Sequence, residues 1–348
     1  MSTLRILGLL IGCLGMVTTF FVLRGVRWNR SNFIMLAFLN LSLMLVTINP
    51  NILNVLRDAM SLQNAYRGRI IALLILSNIF LLFYIFFTKL KLDNIHLQFD
   101  RLVRSLGSQD IEQNAELIDY IKPAMVLIPA YNESENLREL LPFMPKKIGE
   151  AELGVLVVDD GSDDETFRAA TETGNICVVK NLINRGGGAA LRLGYDILQK
   201  AGVQYCVTMD ADGQHRVEDI ENVLQPIIED RYDCVVGSRI LGDREKAGWF
   251  RITGVYFFSR IVSVLLGKKI TDPSSGFRAF RMEAMSSIRL HEDQYHTSEL
   301  IIEAVKNGLR IGEVPITILK RKHGKSKKGK DLAYGFHFAR IILKTWWR

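Results

Sequence analysis

Two stretches of the chain, residues 6–23 and 70–87, each run for 18 residues without a charged side chain. At 1.5 Å of rise per residue, each nearly spans a hydrocarbon layer of about 30 Å, so the first third is expected to fold as transmembrane helices. The run 33–48, interrupted only by Asn40, Ser42 and Thr47, lies between them and supplies the second of three expected spans in chain order. A mean hydropathy of +0.13 in a chain that is 23% charged requires this segregation of apolar from polar residues. Disordered and fibrous classes are excluded, and 348 residues leave room for a second, full-sized unit.

Arg24, Arg27 and Arg30 follow the first run and Lys89 and Lys91 follow the third, whereas Arg57, Arg67 and Arg69 are spread along the second connection. The positive-inside bias places the first connection, and everything after residue 88, in the cytoplasm. The expectation is a multi-pass integral protein of the plasma or inner membrane, with a transmembrane surface through which a homo-oligomer could form. A signal peptide is disfavoured, since no small-x-small site follows residue 23. Leu10-Ile11-Gly12-Cys13 resembles a lipoprotein processing site, but too few apolar residues precede it, and Cys13 reads as a residue of the first span. Residues 91–122 read as an amphipathic connector, with Leu92, Ile95, Phe99, Leu102, Val103 and Leu106 at helical spacing, suited to packing on a partner helix or the bilayer surface. Cys177, Cys206 and Cys234 lie in strand-like runs without metal spacing and are expected as buried thiols in a reducing compartment.

From residue 124 the pattern changes. Strand-length apolar runs at 124–130, 154–159, 176–180, 204–209 and 233–237 alternate with helical patterns at about 134–144, 163–173, 187–201 and 216–230. Such alternation predicts an α/β domain built on a doubly wound, mostly parallel, Rossmann-like sheet with its site at the strands' carboxyl ends. Polar residues cluster there: Pro129-Ala130-Tyr131-Asn132-Glu133, Asp159-Asp160-Gly161-Ser162, and Asp210-Ala211-Asp212-Gly213-Gln214-His215.

Part of this polarity serves helix starts, since Ser162 with Glu165 has capping-box spacing and Asn132 with Glu135 nearly so. Capping explains neither the adjacent Asp159 and Asp160 nor the D-x-D pair. Two carboxylates alternating on an extended strand end can offer hard oxygen ligands to a divalent cation completed by a diphosphate and water. Asn184-Arg185-Gly186-Gly187-Gly188-Ala189-Ala190 opens a helix, either as a phosphate cradle or as a tight loop before a small packing face; it is neither a Walker loop nor a dinucleotide fingerprint.

The ordered motifs P-A-Y-N-E, V-V-D-D-G-S, N-R-G-x-G-A-A, D-A-D-G-Q-H, G-S-R, D-x-x-S-G-F-R and R-x-x-G-x-S resemble those of family 2 glycosyltransferases of the GT-A fold. The resemblance is strongest to the dolichyl-phosphate mannose synthase and polyprenyl-phosphate glycosyltransferase group and covers about 124–330, while residues 1–106 resemble a small three-helix membrane domain found beside such enzymes. It implies a transmembrane domain over 1–90, the connector, a GT-A domain over 123–330 and an interfacial helix over 331–348. Pro129, Tyr131, Glu133 and Asp160 would surround the nucleoside, joined by Arg185 and Ala211. Asp210 and Asp212 would hold Mg2+ or Mn2+ on the donor diphosphate beside Gln214. Arg239, Arg251 and Arg321 would clamp the diphosphate and the acceptor phosphate. Gly187 stands where the family usually has Lys, and His323 where many relatives have Arg or Tyr.

The activity implied is inverting transfer of one sugar from a nucleotide sugar donor to undecaprenyl or dolichyl phosphate, for which no dedicated general base is required because the nucleophile is already an anion. Transfer to a sugar hydroxyl, which would need a carboxylate base, and a non-catalytic membrane scaffold are the alternative readings. The Q-x-x-R-W motif of processive synthases is absent. Residues 249–270 and 334–348 interleave aromatic and basic residues as bilayer-interface segments do, and 320–330 is strongly basic. No nucleic-acid motif accompanies these charges. Glu299 and Glu303 share a helix face that either approaches the donor sugar or faces solvent, and His215 could touch the metal or the diphosphate.

Overall fold

The computed structural model describes residues 3–25, 30–63, 67–113, 115–242, 249–293, 296–323 and 332–348. It comprises two units, Met1–His96 and Leu97–Arg348.

In the first unit α1 (Thr3–Gly25) pairs with α2 (Arg30–Ile48), followed by α3 (Ile52–Ala59) and the start of α4 (Gly68–Gln113). Gly8, Gly12 and Gly15 of α1 face Thr47, Met44 and Asn40 of α2, and a Cβ at Gly12 would run into Met44. Small residues at this spacing let two helix backbones approach closely. Asn40 Nδ2 spans the pair to Thr19 Oγ1 at 3.3 Å. Among the described residues one helical stretch, Gly68–Gly107, is long and apolar enough to cross a membrane. The expected second span qualifies only jointly with α3, the two meeting at 104°, and among the described residues α1 carries an apolar helical stretch at Arg5–Phe21. Residues 26–29, with Arg27 of the first connection, lie outside the described residues. α4 takes in the expected span 70–87 and the connector as far as Gln113.

The second unit begins within α4 and continues through α5 (Ala115–Asp119), β1 (Ala124–Ala130), α6 (Ser134–Leu140), β2 (Lys147–Ile148), β3 (Ala151–Asp159), α7 (Thr166–Glu172), β4 (Cys177–Lys180), α8 (Gly187–Lys200), β5 (Tyr205–Thr208) and α9 (Asp219–Ile228). After these come β6 (Cys234–Ser238), α10 (Trp249–Leu266), β7 (Arg278–Arg281), α11 (Met282–Met285), α12 (His296–Lys306), β8 (Ile311–Pro315) and α13 (Leu332–Trp347). The strands form one sheet in the order β2-β3-β1-β5-β7-β6-β8, with β4 also on β3. β1 pairs in parallel with β3 and β5, β3 with β4, and β6 with β8. The sheet is mixed, since β7 runs antiparallel to both β5 and β6 and the short β2 antiparallel to β3.

Because β1 and β3 are covered on both faces, they read as continuous apolar runs. Met125 and Leu127 enter one core with α8, α12 and the buried sides of α10 and α13. Val126 and Ile128 enter the other with α6, α7 and α9. All four are 0% exposed, each burial being worth about 1.5–3 kcal/mol. Cys177, Cys206 and Cys234 are buried free thiols in β4, β5 and β6, as expected, whereas Cys13 is exposed. The interface-like segments form α10, with Tyr256, Phe257 and Val264 exposed, and α13, with Leu343, Trp346 and Trp347 exposed.

Candidate functional site

The parallel register sets Ala130 opposite Asp159. The loops leaving β1 and β3 therefore start side by side. Asn132 N–H donates to Ser162 Oγ at 2.9 Å, Glu133 N–H to Thr166 Oγ1 at 2.9 Å, and Asp163 N–H to Asn132 Oδ1 at 3.0 Å. Ser162 is thus a link between loops and not a helix cap as its spacing suggested; Asp164 Oδ1 takes the Thr166 N–H at the start of α7 instead, at 2.9 Å. Burial pushes the Asp164 carboxyl up, but hydrogen bonds from Thr166 and Ser134 outweigh it and hold the group below its ordinary value.

One cluster of the expected site residues assembles where β1 and β5 end. Arg321 Nη2 lies 3.0 Å from Glu133 Oε1 and 3.2 Å from Asp212 Oδ2. Gln214 N–H donates to Asp212 Oδ1 at 3.1 Å, and Gln214 Nε2 to the Leu319 carbonyl at 3.3 Å, which ties the D-x-D turn to the segment carrying Arg321. His215 Nε2 stands 3.8 Å from Asp210 Oδ2. The buried ring of His215 stacks on Phe277 at 4.9 Å, and its Nδ1 has no hydrogen-bond partner among the described residues. Pro129 lies in β1 opposite Val158, Tyr131 is half-buried just beyond it, and Ala211 is buried between the two aspartates.

A second cluster gathers around Asp160, which is 2% exposed. Its Oδ1 accepts Asn181 Nδ2 at 2.9 Å, and its Oδ2 accepts the backbone N–H groups of Arg185 at 3.1 Å and Gly186 at 2.6 Å. Burial raises its pKa, and these donors only partly offset the effect. Asp160 thus holds its own loop in place, and the Arg185 side chain reaches Asp100, 2.7 Å distant.

The third expected group is dispersed. Arg239, at the end of β6, is gripped by Asp272 through Nε at 2.6 Å and Nη2 at 2.7 Å, and its Nη2 also reaches Ser274 Oγ at 2.6 Å. Asp272 is fully buried; burial raises its pKa, but Arg239 and Ser274 outweigh this and hold it below its ordinary value. The side chain of Arg251 lies outside the described residues, as do positions 324–330 of the basic run. Glu299 does not address a sugar: it is 0% exposed, accepting the N–H groups of His291 and Glu292 and pairing with Arg348 at 2.7 Å. Glu303 pairs with the same arginine at 3.3 Å. A buried carboxylate satisfied by two amides and a guanidinium is structural.

The segment Asp272–Arg278 had no role assigned beyond its motif, yet it frames the site. Gly276 packs so close to Asp210 that a Cβ there would meet the carboxylate at 2.9 Å. Thr208 Oγ1 donates to the Gly276 carbonyl at 2.7 Å. Arg278 is wholly buried, donating to the carbonyls of Thr297 at 2.5 Å and Pro273 at 2.9 Å. Among the described residues no three His, Cys, Asp or Glu side chains form a preassembled metal cage. The two hard carboxylates of the D-x-D fit a divalent cation that takes its remaining ligands from a diphosphate and water.

A curled mixed sheet with an acidic pair at the end of its central strand defines the class: a GT-A-like glycosyltransferase domain. Residues 125–289 match the model of Glycosyl transferase family 2, and the chain belongs to that family. It is 33% identical to a UDP-N-acetylglucosamine–dolichyl-phosphate N-acetylglucosaminyltransferase of Methanococcus voltae, over 63% of this chain and 94% of that one. It is also 33% identical to the polyprenol monophosphomannose synthase of Mycolicibacterium smegmatis, over 58% and 80%. The fold is that of glucosyl-3-phosphoglycerate synthase from Mycobacterium tuberculosis, solved with Mn2+ and uridine-diphosphate-glucose, with a TM-score of 0.50 at 19% identity over 66% of this chain and 82% of that one.

Proposed function

We propose that this glycosyltransferase moves one sugar from a nucleoside-diphosphate donor to a polyprenyl phosphate at the cytoplasmic face of a membrane, with inversion. The observation that carries the reading is the cluster of Asp210, Asp212, Gln214 and Arg321 at the end of β5, where an anionic pair and a guanidinium stand within one diphosphate's reach. The names of the two polyprenyl- and dolichyl-phosphate relatives support the acceptor class. The apolar stretch of α4 and the exposed aromatics of α10 and α13 support a membrane location.

Asp210 and Asp212 would hold Mg2+ or Mn2+, which when bound neutralises charge on the departing diphosphate. Arg321 and Arg239 add fixed positive charge for the diphosphate and the acceptor phosphate. An acceptor phosphate oxygen attacks the anomeric carbon as the bond to the diphosphate breaks; the nucleoside diphosphate leaves with the electron pair. No proton has to be removed from the nucleophile, which agrees with Glu133 being committed to Arg321 and Asn136.

The test is transfer by the purified chain in detergent with Mg2+ or Mn2+, radiolabelled UDP- and GDP-sugars, and undecaprenyl or dolichyl phosphate. Metal-dependent movement of label from one donor into the organic phase is the expected result. Nucleotide binding without any transfer to lipid would redirect the acceptor to a glycan hydroxyl.

A further inference from the structure

Asp100, Val103, Arg104 and Gly107 recur on α4 at the i, i+3, i+4, i+7 spacing of one helix face. This face, and not the apolar Leu102 and Leu106, which stay exposed, is turned toward α8 and the loop before it. Asp100 is 9% exposed and has three arginines around it: Arg185 Nη1 at 2.7 Å, Arg104 Nη2 at 2.9 Å and Arg192 Nη2 at 3.2 Å. Arg192, itself buried, also pairs with Asp293 and donates to the Glu292 carbonyl at 3.0 Å. Arg104 reaches on to Asp196 at 2.8 Å.

Arg185 therefore has two anchors on opposite sides. Its backbone N–H and that of Gly186 bind Asp160, and its guanidinium binds Asp100 while lying 5.8 Å over the Phe99 ring. The far end of the loop is pinned where Gly188 N–H donates to the Asp293 carbonyl at 2.9 Å. Without the Asp100 charge, two guanidiniums would remain side by side near Asp293, and their repulsion is relieved most easily by the loop that carries one of them.

We propose that Asp100 is a positioning residue for the Asn184–Gly188 loop: from α4 it clamps Arg185 and so keeps the loop on Asp160, setting the affinity for the donor nucleotide. The effect on affinity rests on the function proposed above; the ordering of the loop does not.

The experiment compares the full-length chain with Asp100→Asn and Asp100→Glu in detergent. Hydrogen exchange without nucleotide is expected to speed up at 184–188 by about tenfold or more in Asp100→Asn and to be largely restored in Asp100→Glu. The Kd for UDP or GDP, whichever the wild type binds, and the donor KM should rise by about tenfold with kcat within about twofold. Arg185→Gln, which removes the clamped side chain but leaves Asp100 to Arg104 and Arg192, should loosen the same amides, and it decides the matter if Asp100→Asn does not fold. Unchanged exchange and unchanged Kd in these variants overturn the proposal, as does a fall in kcat with Kd untouched. A wild-type chain that binds neither nucleotide overturns the proposed function, while the exchange comparison still decides whether Asp100 holds the loop.

Discussion

Arg321 Nη2 sits 3.2 Å from Asp212 Oδ2, so a side chain from the segment after β8 already occupies one oxygen of the D-x-D pair. The same nitrogen is 3.0 Å from Glu133. A divalent cation entering the pair has to share Asp212 with this guanidinium or displace it, and a displaced Arg321 is then available to the donor diphosphate. Arg321→Gln is expected to bind Mn2+ more tightly than wild type in the absence of donor, by a few-fold, read by electron paramagnetic resonance. Transfer in the same variant should fall by about 100-fold, the usual cost of removing a fixed charge at a developing anion.

In the function proposed above, Asp210 and Asp212 serve chemistry more than folding. Among the described residues the Asp212 carboxylate meets the Gln214 N–H and Arg321, both on partly exposed loops. Asp212→Ala should lower transfer by at least about 100-fold while shifting stability by no more than about 1 kcal/mol. A variant that retains turnover would remove the metal assignment; a melting curve alongside separates lost chemistry from lost fold.

The strand cysteines supply a check on the packing. Burial pushes Cys177 and Cys234 up to about 12 and Cys206 higher still. At pH 8 the thiolate fraction of Cys177 is then about one in ten thousand, and the attacking species is nearly absent. Alkylation by N-ethylmaleimide, mapped by mass spectrometry, should leave all three unmodified in the native protein and label them in denaturant. Rapid native labelling of any of them would contradict the placement of β4, β5 or β6.

The extent to which the sequence disclosed this molecule follows from which interactions are local. β1 reads correctly from end to end because both of its faces are buried and its apolar run is unbroken. β7 is hidden by Arg278 and Arg281, since Arg278 is buried only through carbonyls of Pro273 and Thr297 contributed by other segments. The D-x-D pair stood out because helix capping accounts for neither carboxylate, although Asp212 also accepts the Gln214 N–H of its own turn. The protein partners of Asp160, Arg185 and Glu299 were not legible, because they lie 21 or more residues away or, for Glu299, were masked by a helical spacing that suits a surface face equally well. Asp100 illustrates the limit: on an amphipathic helix a charged residue reads as solvent-facing, and only the arrival of Arg185 and Arg192 from a distant segment makes it a core group.

Asp272 gives a prediction whose sign can be worked out. Its carboxyl is fully buried and held below the ordinary value by Arg239, so its contribution to stability is complete above the unfolded-state value of about 4 and is lost as pH falls through the lower folded-state value. Asp272→Asn mimics the protonated state and leaves Arg239 without its counter-charge. Because the Arg239 side chain is 20% exposed, water recovers part of the loss, and a cost of about 2–3 kcal/mol at pH 7 is expected. The difference between wild type and variant, from thermal melts followed by aromatic circular dichroism, should be constant from pH 7 to about 5. It should shrink only below about pH 4, as Asp272 takes up its proton in the wild type. Transfer should fall together with stability, since Asp272 also fixes the Arg239 backbone N–H at 3.1 Å and thereby the direction in which the guanidinium leaves β6. A difference that widened on acidification would mean that the buried carboxyl is protonated near neutrality and that Arg239 is held by Ser274 instead.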